Sequence, residues 1–427
     1  MGTATPPAHR KFGSLRALPR NVWVVTATSF LTDVSSEMIV NLIPLFLSEV
    51  LGVRTGLIGL IEGVAETTAS LLKAFSGWLS DRLGRRKWLT VAGYGLSTIA
   101  KPFLYLATSW GWVLAVRFAD RVGKGIRTAP RDALVADSVD AGHRGLAFGL
   151  HRAGDSAGAG LGLLVALIVV WATQGGAPTL TRSAFETVVL ISIVPAVLAV
   201  IVLAVGARDV PRAGRERAAT PRLSLAGFNP RFKGFLLVVT LFTLGNSSDA
   251  FLILRAKERG LSVLGVMGML IAFNLVYALV AGPAGALSDR IGRRRLIVGG
   301  WLAYGLIYLG FALAGTVWHV VALFVVYGVY YGLTEGVAKA MVADLVPADK
   351  RGTAYGVFNA AIGLVALPAS LIAGVLWQGV GAWQGWGPRA PFFFGAALAL
   401  IAVALLAFWW PSVARREAEV TRSAGGS

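Results

Sequence analysis

Eighteen ionisable side chains sit inside stretches of this chain that are otherwise apolar, and their types and spacing could support chemistry. Nine are acids (Asp33, Glu37, Glu62, Glu66, Asp120, Asp132, Asp155, Asp249, Glu335) and nine are bases (Lys73, Lys101, Arg117, Arg121, Lys124, Arg127, Arg131, Arg152, Lys339). Asp33 with Glu37, Glu62 with Glu66, Asp120 with Lys124 and Glu335 with Lys339 are four apart, and Arg152 with Asp155 three apart. Each pair therefore shares one helix face. The equal numbers predict mutual pairing, with Arg131 and Asp132 reaching an interface and Lys73 or Lys101 snorkelling towards one. A charge at mid-bilayer costs at least about 2.5 kcal/mol unless it meets a partner or water, so these faces must point inward.

Asp33 and Glu37, one turn apart, compete to stay charged in a low dielectric, which is what a proton-coupling site requires; Asp155 is a third candidate. The competing assignment has Asp33 and Glu37 salt-bridged to cations of the fourth and fifth apolar runs for structure alone. Arg121, Lys124, Glu62, Glu66, Asp249, Glu335 and Lys339 are candidates for the wall of a solute cavity, with Tyr327, Tyr330 and Tyr331 as aromatic neighbours. Such a wall accepts an amphiphile, a zwitterion or an organic anion. A lipophilic cation would instead need Asp33 or Glu37 unpaired.

The elements that must position these groups follow from composition. Of 427 residues 56% are hydrophobic and 15% charged, and the mean hydropathy is +0.68, which excludes a soluble globule. Twelve long apolar runs predict an all-α integral membrane protein, with spans near 22–48, 56–79, 88–108, 111–134, 146–172, 187–207, 234–254, 263–287, 296–317, 320–343, 353–378 and 390–410. The expected organisation is a tail over 1–21, a six-helix bundle over 22–207, a basic linker over 208–233, a second bundle over 234–410 and a tail over 411–427. Of the 40 Lys and Arg, 25 fall in the tails and even-numbered connections and 6 at the odd ones, with 9 inside spans. That bias predicts a multi-pass protein of the plasma (inner) membrane with both termini cytoplasmic. It also argues against a nucleic-acid partner, because the net charge of +18 follows loop parity instead of clustering.

The chain has no Cys, which removes disulfides and thiolate ligands, and its four His share no helical spacing, so no metal and no cofactor is expected. No Ser-His-Asp arrangement or phosphate loop is present, so the chain is not expected to be an enzyme or an ATP-driven pump.

The two halves repeat each other. Gly77-Trp-Leu-Ser-Asp81-Arg82-Leu-Gly84-Arg85-Arg86-Lys87 returns 208 positions on as Gly285-Ala-Leu-Ser-Asp289-Arg290-Ile-Gly292-Arg293-Arg294-Arg295. Val135-Ala-Asp137 with Arg144-Gly145 returns 207 positions on as Val342-Ala-Asp344 with Arg351-Gly352, and Ser35-Ser36-Glu37 is echoed by Ser247-Ser248-Asp249. In the loop motif Gly77 and Gly285 allow close helix approach, while Asp81 and Asp289 can bond free N–H groups at a neighbouring helix start. Such a contact can break and reform, so Gly77, Asp81, Arg82, Arg85, Gly285, Asp289, Arg290 and Arg293 are candidate gating residues. The competing role is a basic topology anchor.

At these residues the chain resembles the major facilitator superfamily, in its bacterial form and nearest the drug/proton antiporter-like members. The superfamily's loop motif reads Gly-x-Leu-Ala-Asp-Arg-x-Gly-Arg-Arg/Lys. Arg121-Val-Gly-Lys124-Gly125 is similar to the family's Arg-x-x-Gln-Gly, with Lys where Gln is usual. Gly154-Asp-Ser-Ala-Gly158-Ala-Gly-Leu-Gly162 is similar to its antiporter signature, without the Pro and last Gly. The resemblance implies two pseudo-symmetric six-helix bundles that rock around a central cavity. It implies a transporter, acting as a monomer, that moves a small solute by alternating access. Proton-coupled efflux is the expected mode, with proton symport or facilitated uptake of an organic anion or zwitterion as the alternative.

Overall fold

The computed structural model describes residues 18–83, 86–140, 143–210, 225, 227–347 and 350–409. The tails, most of the linker, Arg85 and the side chains of Asp81, Gly285 and Asp289 lie outside the described residues. Twelve helical traverses run through the described part. We label them α1 (Arg20–Val50), α2 (Thr55–Leu83), α3 (Arg86–Ala100, prolonged by a tight turn Lys101–Leu104), α4 (Trp110–Asp137), α5 (Arg144–Gln174) and α6 (Arg182–Gly206). The second half continues with α7 (Pro230–Glu258), α8 (Val263–Ile291), α9 (Arg293–Leu313), α10 (Val317–Leu345), α11 (Arg351–Gln378) and α12 (Ala390–Ala404, continued by Leu405–Trp409). All but α2, α3 and α4 are long and apolar enough to cross a bilayer by composition alone. The exceptions have a physical cause: α2 and α4 carry the densest intramembrane charge, and the α-helical part of α3 is 15 residues long.

Helix starts are written locally. Ser109, Thr181, Asn229, Ser262 and Thr316 each accept a hydrogen bond from the backbone N–H three residues on, opening α4, α6, α7, α8 and α10. Gly292 is the whole junction between α8 and α9 and sits at φ +89°, a conformation that favours glycine. One departure from the twelve-rod expectation is α7, which breaks between Gly245 and Ala250 into a 16-residue and a 9-residue piece.

Packing repeats the sequence repeat. α1 lies on α5 and α6, α2 on α4 and α3 on α4; the second half matches this with α7 on α11 and α12, α8 on α10 and α9 on α10. The halves meet along two seams, α2 with α11 and α5 with α8. Glycines set the closeness inside the first half. Gly154, Gly158 and Gly162, four apart on α5, lie against Thr26, Phe30 and Val34 of α1, so the antiporter-like glycine run is a helix-packing ridge. On the outside, Val205, Leu279, Leu313 and Leu400 are exposed apolar residues suited to lipid.

The even-numbered connections, the start of α1 and the end of α12 share one face, and the odd-numbered connections share the other. At the odd face the halves are latched. Glu49 at the end of α1 pairs with Lys257 at the end of α7 at 2.8 Å, both side chains 13% exposed. Lys257 also donates to the Pro178 carbonyl, and Glu49 accepts from the Leu180 N–H. Gln378 accepts from both Thr55 N–H and Thr55 Oγ1, and the α2–α11 seam continues inward through Gly59 on Ser370, Gly63 on Leu367 and Thr67 on Gly363. The described cross-seam contacts between α2 and α11 stop near Ser70, about 22 Å from Thr55 at 1.5 Å per residue.

Candidate functional site

Between the halves lies a cavity of about 540 Å³. Its first-half wall is built by α4. Gly123 seats against Gly93 and Ser97 of α3, and Gly125 against Ala69 and Leu72 of α2, so Lys124 between them is turned to the cavity, where it is exposed. This is the local meaning of Arg121-Val-Gly-Lys124-Gly125. The arginines on the same wall are engaged by acids of α2: Arg117 donates to Glu62 at 2.6 Å and Arg121 to Glu66 at 3.5 Å. Arg127 donates to Ser97 and stacks over Tyr94.

The predicted pairing within helices is therefore largely replaced by pairing between helices. Asp120 lies 3.3 Å from Arg121, while Lys124 has no carboxylate within ion-pair distance among the described residues. Arg152 meets Glu335 and not Asp155, and Asp155 lies 3.4 Å from His151. Only Glu335 with Lys339, at 3.3 Å, is an i,i+4 pair as expected. Lys101 does not snorkel: it is buried and donates to the hydroxyls of Ser35 and Ser36. Interhelical geometry decides this for Arg117 and Arg152, to which the facing helix brings a carboxylate that their own helix does not.

Asp33 and Glu37 line the same cavity. Glu37 accepts from Asn41 at 2.9 Å, and among the described residues no Lys, Arg or His lies within ion-pair distance of either carboxylate. Opposite them, the break in α7 brings Asp249 to the wall. The two Ser-Ser-acid stretches thus become one structural statement: Glu37 and Asp249 face one cavity from equivalent places in the two halves. Asp249 accepts from the hydroxyls of Tyr327 at 3.1 Å and Tyr331 at 3.3 Å. Tyr304 holds the break itself, donating to the Gly245 carbonyl at 3.1 Å.

A second space of about 400 Å³ lies nearer the even face and shares Tyr331 with the first. Arg152 of α5 crosses it to Tyr277 and Glu335 of the second half, and Tyr277 donates to Glu335 at 2.8 Å. His151 hydrogen-bonds Ser29, 122 positions away in the chain, at 3.1 Å, while its other ring nitrogen faces Asp155 one turn on.

The loop motif's described contacts stay within each half. Arg86 pairs with Asp137 at 3.1 Å and Arg293 with Asp344 at 3.0 Å, so the two repeated motifs bind each other, once per half. Gly77 approaches Ala129 of α4, and Arg82 lies over Trp78; Arg290 is exposed. The carboxylate at the start of α3 is that of Asp209, which accepts from the N–H groups of Arg86 and Lys87 at 2.9 and 2.8 Å. Asp209 carries no motif and was not legible in advance.

Twelve helices in two matched bundles around a polar cavity, latched together at the odd face, define a membrane transporter, not an enzyme. The sequence pattern of the Major Facilitator Superfamily matches residues 25–272 and again 234–426. The chain belongs to that superfamily. It is 36% identical over 399 residues to an uncharacterized MFS-type transporter of Methanocaldococcus jannaschii, spanning 92% of this chain and 96% of that one. It is 27% identical over 307 residues to the fosmidomycin resistance protein of Escherichia coli, spanning 69% and 70%. Its fold is shared with a bacterial homolog to the human lysosomal transporter Spinster solved in an inward-facing, unoccupied conformation. That match has a TM-score of 0.74 and 17% identity, and covers 94% of this chain and 98% of that one.

Proposed function

We propose that this protein is a proton-coupled secondary transporter of the plasma membrane that exports a small solute in exchange for protons, with Asp33 and Glu37 as the coupling acids. The observation that carries the reading is that, among the described residues, these two carboxylates stand on the cavity wall without a basic partner, while Arg117 and Arg121 on the same wall are occupied by Glu62 and Glu66. A carboxylate free of a fixed cation can gain and lose a proton without dismantling the bundle, and each protonation removes a charge from the cavity. The positive-inside bias supports a cytoplasmic even face, hence a latch on the outer side here. The likeness to a fosmidomycin resistance protein supports outward transport. Asp155, with His151, stands beside the α1 acids as a further coupling candidate on the path to the even face.

The test is proton flux in proteoliposomes with a trapped pH-sensitive dye, wild type beside Asp33→Asn and the Asp33→Asn, Glu37→Gln double variant, against a mixed solute panel. Solute-driven proton movement in the wild type, lost in the double variant while solute exchange persists, is the expected result. A double variant that still concentrates solute against its gradient refutes the coupling assignment. Movement of protons in the same direction as the solute would make the protein a symporter.

A further inference from the structure

The second half contributes an acid that the coupling scheme does not use. Asp249 sits at the break of α7, half-buried, with both carboxylate oxygens facing tyrosine hydroxyls: Tyr327 to one, Tyr331 to the other. Two phenol donors hold a carboxylate in place and leave it lone pairs to spare. Among the described residues no Lys, Arg or His lies within ion-pair distance of it. The cavity wall beside it is aromatic: Phe273, Phe324 and Tyr331 line the same space, with Phe273 5.3 Å from Phe324 and 5.6 Å from Tyr331 between ring centroids.

A fixed anion framed by ring faces is the chemistry that recognises an organic ammonium group. The first-half wall agrees. The guanidinium groups of Arg117 and Arg121, which would otherwise attract an anion, are taken by acids of α2, and among the described residues the uncompensated acids Asp33, Glu37 and Asp249 outnumber the lining cations without a carboxylate partner, exposed Lys124 and buried Arg127. We propose that the transported solute carries an organic ammonium group, and that Asp249 with Phe273, Phe324 and Tyr331 is its seat. This deepens the proposed function and rests on the reading of the cavity as the solute site, though not on proton coupling.

Binding can be measured without flux. The chain has no cysteine, so Asn274→Cys on the cavity wall gives a single reactive thiol, and solutes are scored by how well they protect it from a maleimide in detergent. The probes are quaternary ammonium compounds, their neutral tert-butyl isosteres and carboxylates of equal size. Ammonium compounds are expected to protect at about tenfold lower concentration than the isosteres, and Asp249→Asn to erase that preference while Asp249→Glu keeps it. Phe273→Leu, which removes a ring face and leaves the Asp249 carboxylate in the chain, is expected to weaken ammonium protection several-fold; it keeps the test valid if Asp249→Asn fails to fold. Equal protection by isosteres, better protection by carboxylates, protection by sodium ion alone, or no protection by any ammonium compound overturns the proposal. Absence of solute-driven proton movement in the wild type, with the ammonium preference intact, would sink only the coupling reading.

Discussion

Glu49→Gln isolates the latch that closes the odd face. The substitution keeps a carbonyl oxygen for the Leu180 N–H and removes only the charge facing Lys257. At 2.8 Å the ion pair's Coulomb attraction is about 6 kcal/mol for an effective dielectric of about 20. Desolvating two groups that are each 13% exposed cancels most of it, leaving about 1–2 kcal/mol. The contact joins the two halves and cannot survive their separation at this face, so that energy is a differential term in the rocking equilibrium. Losing it raises the odd-face-open population relative to the closed one by about 5- to 30-fold.

The population is readable through a single thiol. Ser370→Cys places it where the α11 backbone meets Gly59 inside the closed seam, 3% exposed. A membrane-impermeant maleimide supplied from the odd side reaches it only after the seam opens. Labelling should accelerate by the same 5- to 30-fold factor in Glu49→Gln, estimated from a pair energy of about 1–2 kcal/mol, and fall back in the Glu49→Lys, Lys257→Glu swap, while added salt should accelerate wild-type labelling less than it would for an exposed pair. Unchanged labelling, or acceleration that the swap leaves intact, would show that the α2–α11 seam alone keeps this face shut.

Two further perturbations probe the scaffold. Glu62→Gln leaves Arg117, 4% exposed, without a counter-charge and should cost about 3–5 kcal/mol. A steep drop in thermal midpoint in detergent checks this, and the Glu62→Gln, Arg117→Met pair should recover much of it; independent, additive losses would refute the pairing. Gly63→Val puts a Cβ 2.8 Å from the Leu367 backbone, forcing the α2–α11 seam apart, so Ser370→Cys labelling from the odd side should rise even with the Glu49–Lys257 latch intact.

Much of the architecture was legible because membrane physics writes it redundantly. Each apolar run must be long enough to span, basic residues sort by loop, and two loop motifs return at a fixed interval, so helix number, order and the matched halves follow from counting. Even the failures of simple hydropathy are informative: α2 and α4 fall short of a plain membrane helix because they carry the cavity's charges. Local helix starts at Ser109, Asn229 and Thr316 are equally written in residue type, since a short side-chain oxygen ahead of an apolar run satisfies the first free N–H groups.

Partner choice was not legible. Spacing puts two side chains on one helix face but says nothing of which helix lies opposite, and Arg117, Arg121 and Arg152 found acids 55 and 183 positions away in the chain. The break in α7 was hidden for a related reason: Asn246-Ser-Ser-Asp249 is compatible with a continuous span, and only Tyr304, Tyr327 and Tyr331, arriving from α9 and α10, supply the hydrogen bonds that let the backbone open there. The sequence alone determined a twelve-helix membrane transporter with acids and bases inside it, because burial and translocation act on each segment separately. Which of those charges are spent on each other, and which remain bare in the cavity to meet a proton or a solute, is a property of helices brought together across the fold, and that only the tertiary structure decided.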